Sequence, residues 1–184
     1  LGGSLRNPAS WNGVVGLRPT PGLIAHGPSK MPFSTFSLNG PMARNIEDLE
    51  IFFRAMISYD TRDPISVKNS ILSKKINLDI KSNTNYKLGI TQDFNIFPCS
   101  SEISDMIKNT SKLVTYLGHE VDNQFPDMSN TEEAFQIFRA YIFYYTYGFL
   151  LKEETKIKQD IIWNIEKGKS LEVDDLIKAE NIRS

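Results

Sequence analysis

The first 44 residues constrain the fold most, because glycine, proline and serine interrupt every apolar run there. Short apolar segments such as residues 13–17 (GVVGL) alternate with segments such as residues 18–22 (RPTPG). Glycine and proline at this density favour short strands and tight turns over helices. We therefore predict strands and turns, and no helix, across residues 1–44.

After residue 44 the apolar residues recur at helical spacing. Asn45 is suited to cap a helix, with Asp48 at the capping-box position three residues later, and we expect this helix to end near Ser58. The polar residues 66–85 indicate a loop or surface excursion.

A strand–helix–strand unit is predicted next. Residues 86–91 and 119–125 have strand patterns, and between them Ser101 is placed to cap a helix that ends at Gly118. Strands linked by a helix favour an α/β or α+β sheet.

Residues 131–184 are predicted to be helical. Thr131 begins a helix whose aromatic and apolar stripe is expected to pack in the core, with the wall of an apolar substrate pocket as the alternative. The residues of this stripe are Phe135, Phe138, Tyr141, Ile142, Tyr145 and Phe149. A helix break is predicted at Gly168, followed by a new cap at Ser170.

Composition narrows the partners and the compartment. The net charge of -1 gives no electrostatic reason to expect a nucleic acid or a membrane surface as partner. The single cysteine, Cys99, excludes an intramolecular disulfide and a C-x-x-C zinc site, so the fold needs no oxidising compartment. No apolar run of about 20 residues or signal-peptide pattern is present. We expect a cytoplasmic protein without metal, and the oligomeric state stays open.

Two histidines are the obvious candidates for a general base. His26 lies in a Gly/Pro loop, and His119 follows the glycine that is expected to end a helix. A Ser-His-Asp triad needs a histidine facing its serine. Both positions favour a structural or surface role instead.

The sequence Leu1-Gly2-Gly3-Ser4 is the strongest candidate for chemistry. Paired glycines free the backbone, so that several N–H groups can point at one spot beside a serine hydroxyl, as an oxyanion hole requires. A glycine turn with a solvated serine remains the alternative on these four residues. Neither a phosphate-binding glycine pattern nor G-x-S-x-G follows.

Longer motifs identify a family. GGSLRNPASWNGVVGLRPTPG, followed by GPMARNIEDLEIFFRAM, closely resembles the amidase signature family through GGS[IL]R-x-PA, G-x-x-G-[LF]-[KR]-P-[TS]-x-G and GPMAR-x-x-x-DL. The resemblance continues more loosely to the end of the chain. It implies an α/β fold, a mixed β-sheet core flanked by helices, incomplete at both ends. Residues 1–184 would be part of one amidase domain, with a signature region (1–66), a strand–helix–strand unit (86–126) and a helical region (131–184).

The resemblance also implies a chemistry. Family enzymes hydrolyse carbon–nitrogen amide bonds of small molecules with a Ser-Ser-Lys triad, through an acyl-enzyme and without metal or organic cofactor. The nucleophile matches Ser4, the oxyanion-hole N–H groups match Leu1, Gly2 and Gly3, and Arg6 matches a motif arginine expected to hold the loop by ion pairing.

The second serine, which has a cis peptide bond, and the lysine lie upstream in the family, outside this sequence. A serine without a base is a poor nucleophile, so residues 1–184 alone are expected to be inactive. Unpaired sheet edges are expected to make them poorly soluble or partly ordered.

Two alternatives share these motifs. The glutaminase-type subunit of tRNA-dependent amidotransferases is similar, but usually has GGSIRQPA, PTYG and SLDQIGP, where this chain has Asn7, Pro21 and SLNGPM. Those departures favour the general hydrolase. A catalytically inactive remnant is the other alternative.

Overall fold

The structure, a computed structural model, describes residues 3–68, 85–152 and 157–184. The chain divides into two compact units, Leu1–Leu78 and Asp79–Ser184. The mixture of helices with small sheets confirms the α/β class. The described strands form one antiparallel pair and one parallel pair. The assignment of residues 1–184 to one domain stays a prediction, and most of the predicted loop 66–85 lies outside the described residues.

The first unit begins with a helix that the glycine and proline pattern did not predict. Helix α1 is Arg6–Asn12. Pro8 lies in its first turn, where a missing N–H costs nothing, and Gly13 ends it with a φ of 60°. The prediction of no helix in residues 1–44 is therefore wrong, because proline and glycine stand at the two ends of this helix rather than interrupting it.

Two short strands and a capped helix follow α1 in the described part of the first unit. Strands β1 (Val15–Gly16) and β2 (Met42–Ala43) pair antiparallel, and helix α2 is Ile46–Met56. Asn45 caps α2 as predicted, because its Oδ1 accepts the Asp48 N–H at 2.7 Å. The helix ends two residues before the expected Ser58.

The predicted strand–helix–strand unit is confirmed in the second compact unit. Strands β3 (Lys87–Gly89) and β4 (Glu120–Asp122) are parallel, and helix α3 (Ser101–Tyr116) lies between them in sequence. Both strands are shorter than expected. The cap is Ser100 rather than Ser101, since Ser100 Oγ accepts the Ile103 N–H at 3.4 Å. Gly118 has the predicted left-handed conformation, with a φ of 91°.

A packed group of helices completes the chain. Helices α5 and α6 both pack on α4. The bounds are Thr131–Tyr147 for α4, Gly148–Lys152 for a following 3-10 helix, Gln159–Lys169 for α5 and Val173–Arg183 for α6. The buried apolar residues are Ala134, Ile137, Phe138, Ala140, Ile165 and Ala179.

The break predicted at Gly168 falls two residues later, because α5 continues to Lys169. Gly168 lies buried in the last turn of the helix, where an added Cβ would collide with the Ala140 carbonyl oxygen of α4. Glycine is needed here for a close approach of two helices rather than for a turn. Ser170 ends α5, and Glu172 caps α6 in a capping box with Asp175.

The aromatic stripe of α4 is mostly exposed, so the prediction that it packs in the core is wrong for most of its length. Phe138 is buried, but Phe135 and Tyr141 are each 36% exposed and Tyr145 is 50% exposed. At the point where α5 comes closest to α4, Gly168 lies against the Ala140 carbonyl oxygen, so a small side chain rather than a ring occupies that contact.

Each unit carries one of the two tryptophans. Trp11 on α1 is 82% exposed. Trp163 on α5 is 52% exposed, and the Lys167 Nζ lies 5.1 Å from the centroid of its ring. None of the helices in the described part of the chain combines the length and apolar character needed to cross a bilayer.

Candidate active site

Ser4 lies in an exposed turn immediately before α1. None of the side chains described in residues 3–68 forms a hydrogen bond with the Ser4 hydroxyl, so no base for Ser4 is found in that range.

Gly3 cannot be replaced without strain. Its φ is 89°, and its carbonyl oxygen accepts the Asn7 N–H at 2.8 Å. A Cβ built on Gly3 would lie 2.6 Å from the Asn7 Nδ2, because the Asn7 side chain folds over the glycine. Of the three predicted oxyanion-hole residues, Gly3 is described, whereas Leu1 and Gly2 lie outside the described residues.

Leu5 has the most unusual backbone in this turn. Its φ is 78° and its ψ is -58°, which an L-residue rarely adopts. Its carbonyl oxygen accepts the Ala9 N–H at 3.1 Å, so this strained residue is tied directly to α1.

The three sequence motifs meet around Leu5. A Cβ on Gly16, in the second motif, would lie 2.9 Å from the Leu5 carbonyl oxygen. A Cβ on Gly40, at the start of the third, would lie 2.8 Å from the Leu5 Cδ1 and would collide with the Leu17 carbonyl oxygen. The Leu17 N–H donates to the Pro41 carbonyl at 3.1 Å, which joins the second and third motifs. Residues far apart in sequence thus enclose the turn that presents Ser4.

Arg6 is the first residue of α1, and its side chain is exposed. The ion pairs seen in the described ranges do not include Arg6. The ion pairing expected for it is therefore not found there.

His26 belongs to a structural network that sequence reasoning missed. Its backbone N–H donates to Asp63 Oδ2 at 2.8 Å, and its Nδ1 is 3.2 Å from the Asn39 Nδ2. Asp63 is only 5% exposed, and its other oxygen accepts the Ile65 N–H at 3.0 Å. The sequence around Asp63, an aspartate just before a proline, does not indicate that this side chain is buried and accepts two backbone N–H groups.

His119 has structural contacts as well. Its Nδ1 accepts the Tyr86 N–H at 3.4 Å, and its ring centroid lies 5.5 Å from that of Tyr86. The His119 ring, just before β4, thus contacts the residue just before β3. Elsewhere, residues 3–68, 85–152 and 157–184 contain no cluster of three His, Cys, Asp or Glu side chains able to hold a metal ion.

One carboxylate near the surface of the first unit has a strongly shifted pKa. The Arg62 guanidinium donates to Asp60 Oδ2 at 2.6 Å, and the Arg62 backbone N–H donates to Oδ1 at 2.9 Å. These hydrogen bonds, the side-chain bond first, lower the pKa of Asp60 from 3.8 to about 2. The pair fixes the turn that leads to Asp63.

The fold is that of a known enzyme class. A solved bacterial aryl acylamidase of the amidase signature family superimposes with a TM-score of 0.74 at 22% sequence identity, covering 99% of this chain and 40% of that chain. The amidase family model matches residues 1–183. The chain belongs to the amidase family.

Curated relatives give a second comparison. A glutamyl-tRNA(Gln) amidotransferase subunit of Helicobacter pylori is 35% identical over 122 residues, which is 65% of this chain and 26% of the relative. The corresponding protein of Syntrophobacter fumaroxidans is 33% identical over 122 residues, or 24% of its length. The chain thus spans about a quarter of the length of these relatives.

Proposed function

We propose that this chain contributes the nucleophile segment of an amidase that cleaves carbon–nitrogen amide bonds, with Ser4 as the nucleophile. The observation that carries the proposal is the meeting of the three motifs around the turn that exposes Ser4. Membership of the amidase family over residues 1–183 supports the same reaction class.

The reaction follows from the chemistry of an activated serine. Ser4 Oγ attacks the amide carbonyl carbon and loses its proton to a base, while the carbonyl oxygen becomes negatively charged. We assign the stabilisation of this charge to the backbone N–H groups of Leu1, Gly2 and Gly3. The C–N bond then breaks, the amine leaves with a proton, and water hydrolyses the acyl-enzyme to release the acid and free Ser4.

The base is assigned by family resemblance to a Ser-Ser-Lys triad. Its lysine and its cis-serine belong to a segment that is not among residues 1–184. We assign Arg6 a structural role in the loop rather than a catalytic one. The substrate class is a small-molecule amide, the reaction uses no cofactor, and the compartment is the cytoplasm.

The first experiment treats the full-length gene product with a serine-directed phosphonate. We expect one label, on Ser4, and expect Ser4→Ala to abolish both labelling and hydrolysis, the latter by more than about 1000-fold. Ser10→Ala, an exposed serine on α1, is the matched control and keeps the wild-type labelling rate. Undiminished labelling of Ser4→Ala would remove Ser4 from the mechanism.

A glutaminase-type amidotransferase subunit is the second candidate, favoured by the names of the two curated relatives described above. Against it stand Asn7 and Pro21, and Asn7 is the side chain that folds over Gly3 beside the nucleophile. Assaying ammonia release from glutamine against hydrolysis of aryl amides separates the two. The hydrolase proposal expects aryl amides to be preferred in the absence of any partner protein. A catalytically inactive remnant would neither be labelled nor hydrolyse either substrate.

A further inference from the structure

The geometry points to Leu5 as a positioning residue that aims Ser4, an inference that rests on the proposed function of Ser4. Leu5 follows the nucleophile directly and has a φ of 78° and a ψ of -58°. These angles are close to those of the strained γ-turn with positive φ. A residue of this kind persists only where its surroundings hold it, and such residues cluster at functional sites.

Neighbouring residues contact both the carbonyl group and the side chain of Leu5. Its carbonyl oxygen accepts the Ala9 N–H of α1 and lies where a Cβ on Gly16 would collide. Its side chain reaches the position where a Cβ on Gly40 would lie, 2.8 Å from Cδ1. The backbone angles are therefore fixed by contacts from α1 and from two separate motifs.

Leu5 is unlike the other non-glycine residues with positive φ. Phe94, Asn95 and Asn130 have φ values of 52°, 60° and 63°, close to the φ of the ordinary left-handed conformation. Leu5 alone in the described ranges combines a φ near 78° with a negative ψ and a neighbouring candidate nucleophile. The strain thus falls at the residue whose angles set the direction of the Ser4 backbone relative to α1.

The side chain and the backbone have separable roles. Leu5→Ala keeps the backbone penalty but removes the contact toward Gly40, whereas Leu5→Gly removes both. Leu5→Met keeps a flexible apolar side chain of similar volume. If Leu5 positions Ser4, the Leu5→Ala and Leu5→Gly variants misplace the Ser4 hydroxyl. The Leu5→Met variant largely keeps the hydroxyl in its position.

The test measures phosphonate labelling of Ser4 in the full-length protein at saturating reagent, together with melting temperature. We expect Leu5→Ala and Leu5→Gly to lower the limiting labelling rate by about tenfold to 100-fold with an unchanged half-saturating concentration. Leu5→Met should recover most of the rate. Leu5→Gly should melt at a higher temperature than Leu5→Ala, the reverse of the order at an unstrained position.

Asn130→Gly is the matched control, because it changes a positive-φ residue in the second unit and should leave labelling unchanged. Wild-type labelling rates in both Leu5→Ala and Leu5→Gly would overturn the role of Leu5 while leaving Ser4 as nucleophile. Failure of the wild-type protein to label Ser4 would overturn both, because no nucleophile would then be aimed. A melting order with Leu5→Ala above Leu5→Gly would also overturn the inference, since Leu5 would then carry no backbone strain.

Discussion

Gly40 in the first unit and Gly168 in the second each allow a close approach of two backbone segments, but the segments differ in kind. Each faces a backbone carbonyl oxygen, that of Leu17 for Gly40 and that of Ala140 for Gly168, and an added Cβ would collide with it. Around Gly40 the close approach joins irregular loop segments, whereas around Gly168 it joins two regular helices. The absence of a Cβ therefore permits a contact between loop segments in the first unit and a contact between two helices in the second.

The two units also differ in the packing around these glycine contacts. In the helices of the second unit, Ile165 and Ala179 are fully buried. Many apolar contacts therefore stabilise the position of these helices, and the loss of one contact changes it little. In the first unit, loops are joined by single hydrogen bonds, such as the Val67 N–H to the Gly22 carbonyl at 3.0 Å. The position of the Ser4 turn consequently depends on a few individual contacts.

The largest expected effect comes from substituting the two glycines in parallel. Gly40→Ala and Gly168→Ala should each destabilise the fold by about 1–3 kcal/mol through overpacking, with part of the Gly168 cost offset by better helix propensity. Of these two, Gly40→Ala alone should also slow phosphonate labelling of Ser4, because Gly40, unlike Gly168, lies against Leu5. Chemical unfolding and labelling rates measure the two effects.

Gly27→Ala provides the control for that pair, since the nearest atom to its added Cβ would be the Ser29 nitrogen at 3.6 Å. Its stability and labelling should match the wild type. Equal slowing of labelling by Gly168→Ala would contradict the distinction drawn between the two units.

A stability effect of similar size is expected at Asp63. Asp63→Ala leaves the N–H groups of His26 and Ile65 without their acceptor in a buried site, which should cost about 1–3 kcal/mol. Asp63→Asn keeps one acceptor oxygen and should cost less than Asp63→Ala. Urea unfolding measures the difference.

Asp127 in the second unit offers the matched comparison, because it accepts the Ser129 N–H at 2.8 Å in an exposed turn. Asp127→Asn should leave the urea midpoint unchanged. A shift at Asp127 as large as that at Asp63 would show that burial does not govern these turns.

The smallest effect concerns pH. The folded pKa of Asp60, about 2, lies below its ordinary value of 3.8, so the stabilisation by Arg62 is complete above about pH 4 and is lost as the pH falls through 2. Arg62→Ala should raise the pKa of Asp60 toward 3.8, as measured by NMR titration of its carboxyl carbon. Arg44→Ala should leave it unchanged, and an unmoved Asp60 pKa in Arg62→Ala would assign the shift to another cause.

Sequence patterns predicted both units well where the signal was local. Asn45 and Gly118 lie where capping chemistry places them, and the strand–helix–strand order around α3 follows from the residue patterns. The pattern placed the break after α5 two residues early, because a glycine that permits close helix packing cannot be distinguished by sequence from one that ends a helix. Only the partner residue, Ala140, distinguishes the two roles, and it is 28 positions away.

The candidate site divides in the same way. Ser4 and Gly3 were predicted from motif chemistry, and the glycine requirement agrees with a φ of 89° at Gly3. Leu5 and Asp63 gave no signal of their own, because their roles arise from backbone angles and contacts with distant segments. The helix α1 was missed because its proline occupies the one turn in which proline is tolerated.

The placement of the two tryptophans has a spectroscopic consequence. Trp11 lies on the helix that follows Ser4, and Trp163 lies beside the Lys167 ammonium group. Within residues 1–184, Trp11→Phe and Trp163→Phe each leave a single tryptophan, which lies in the other unit. Quenching and emission shifts then follow the opening of each unit separately during unfolding, and Trp11 on α1 senses changes next to the Ser4 turn.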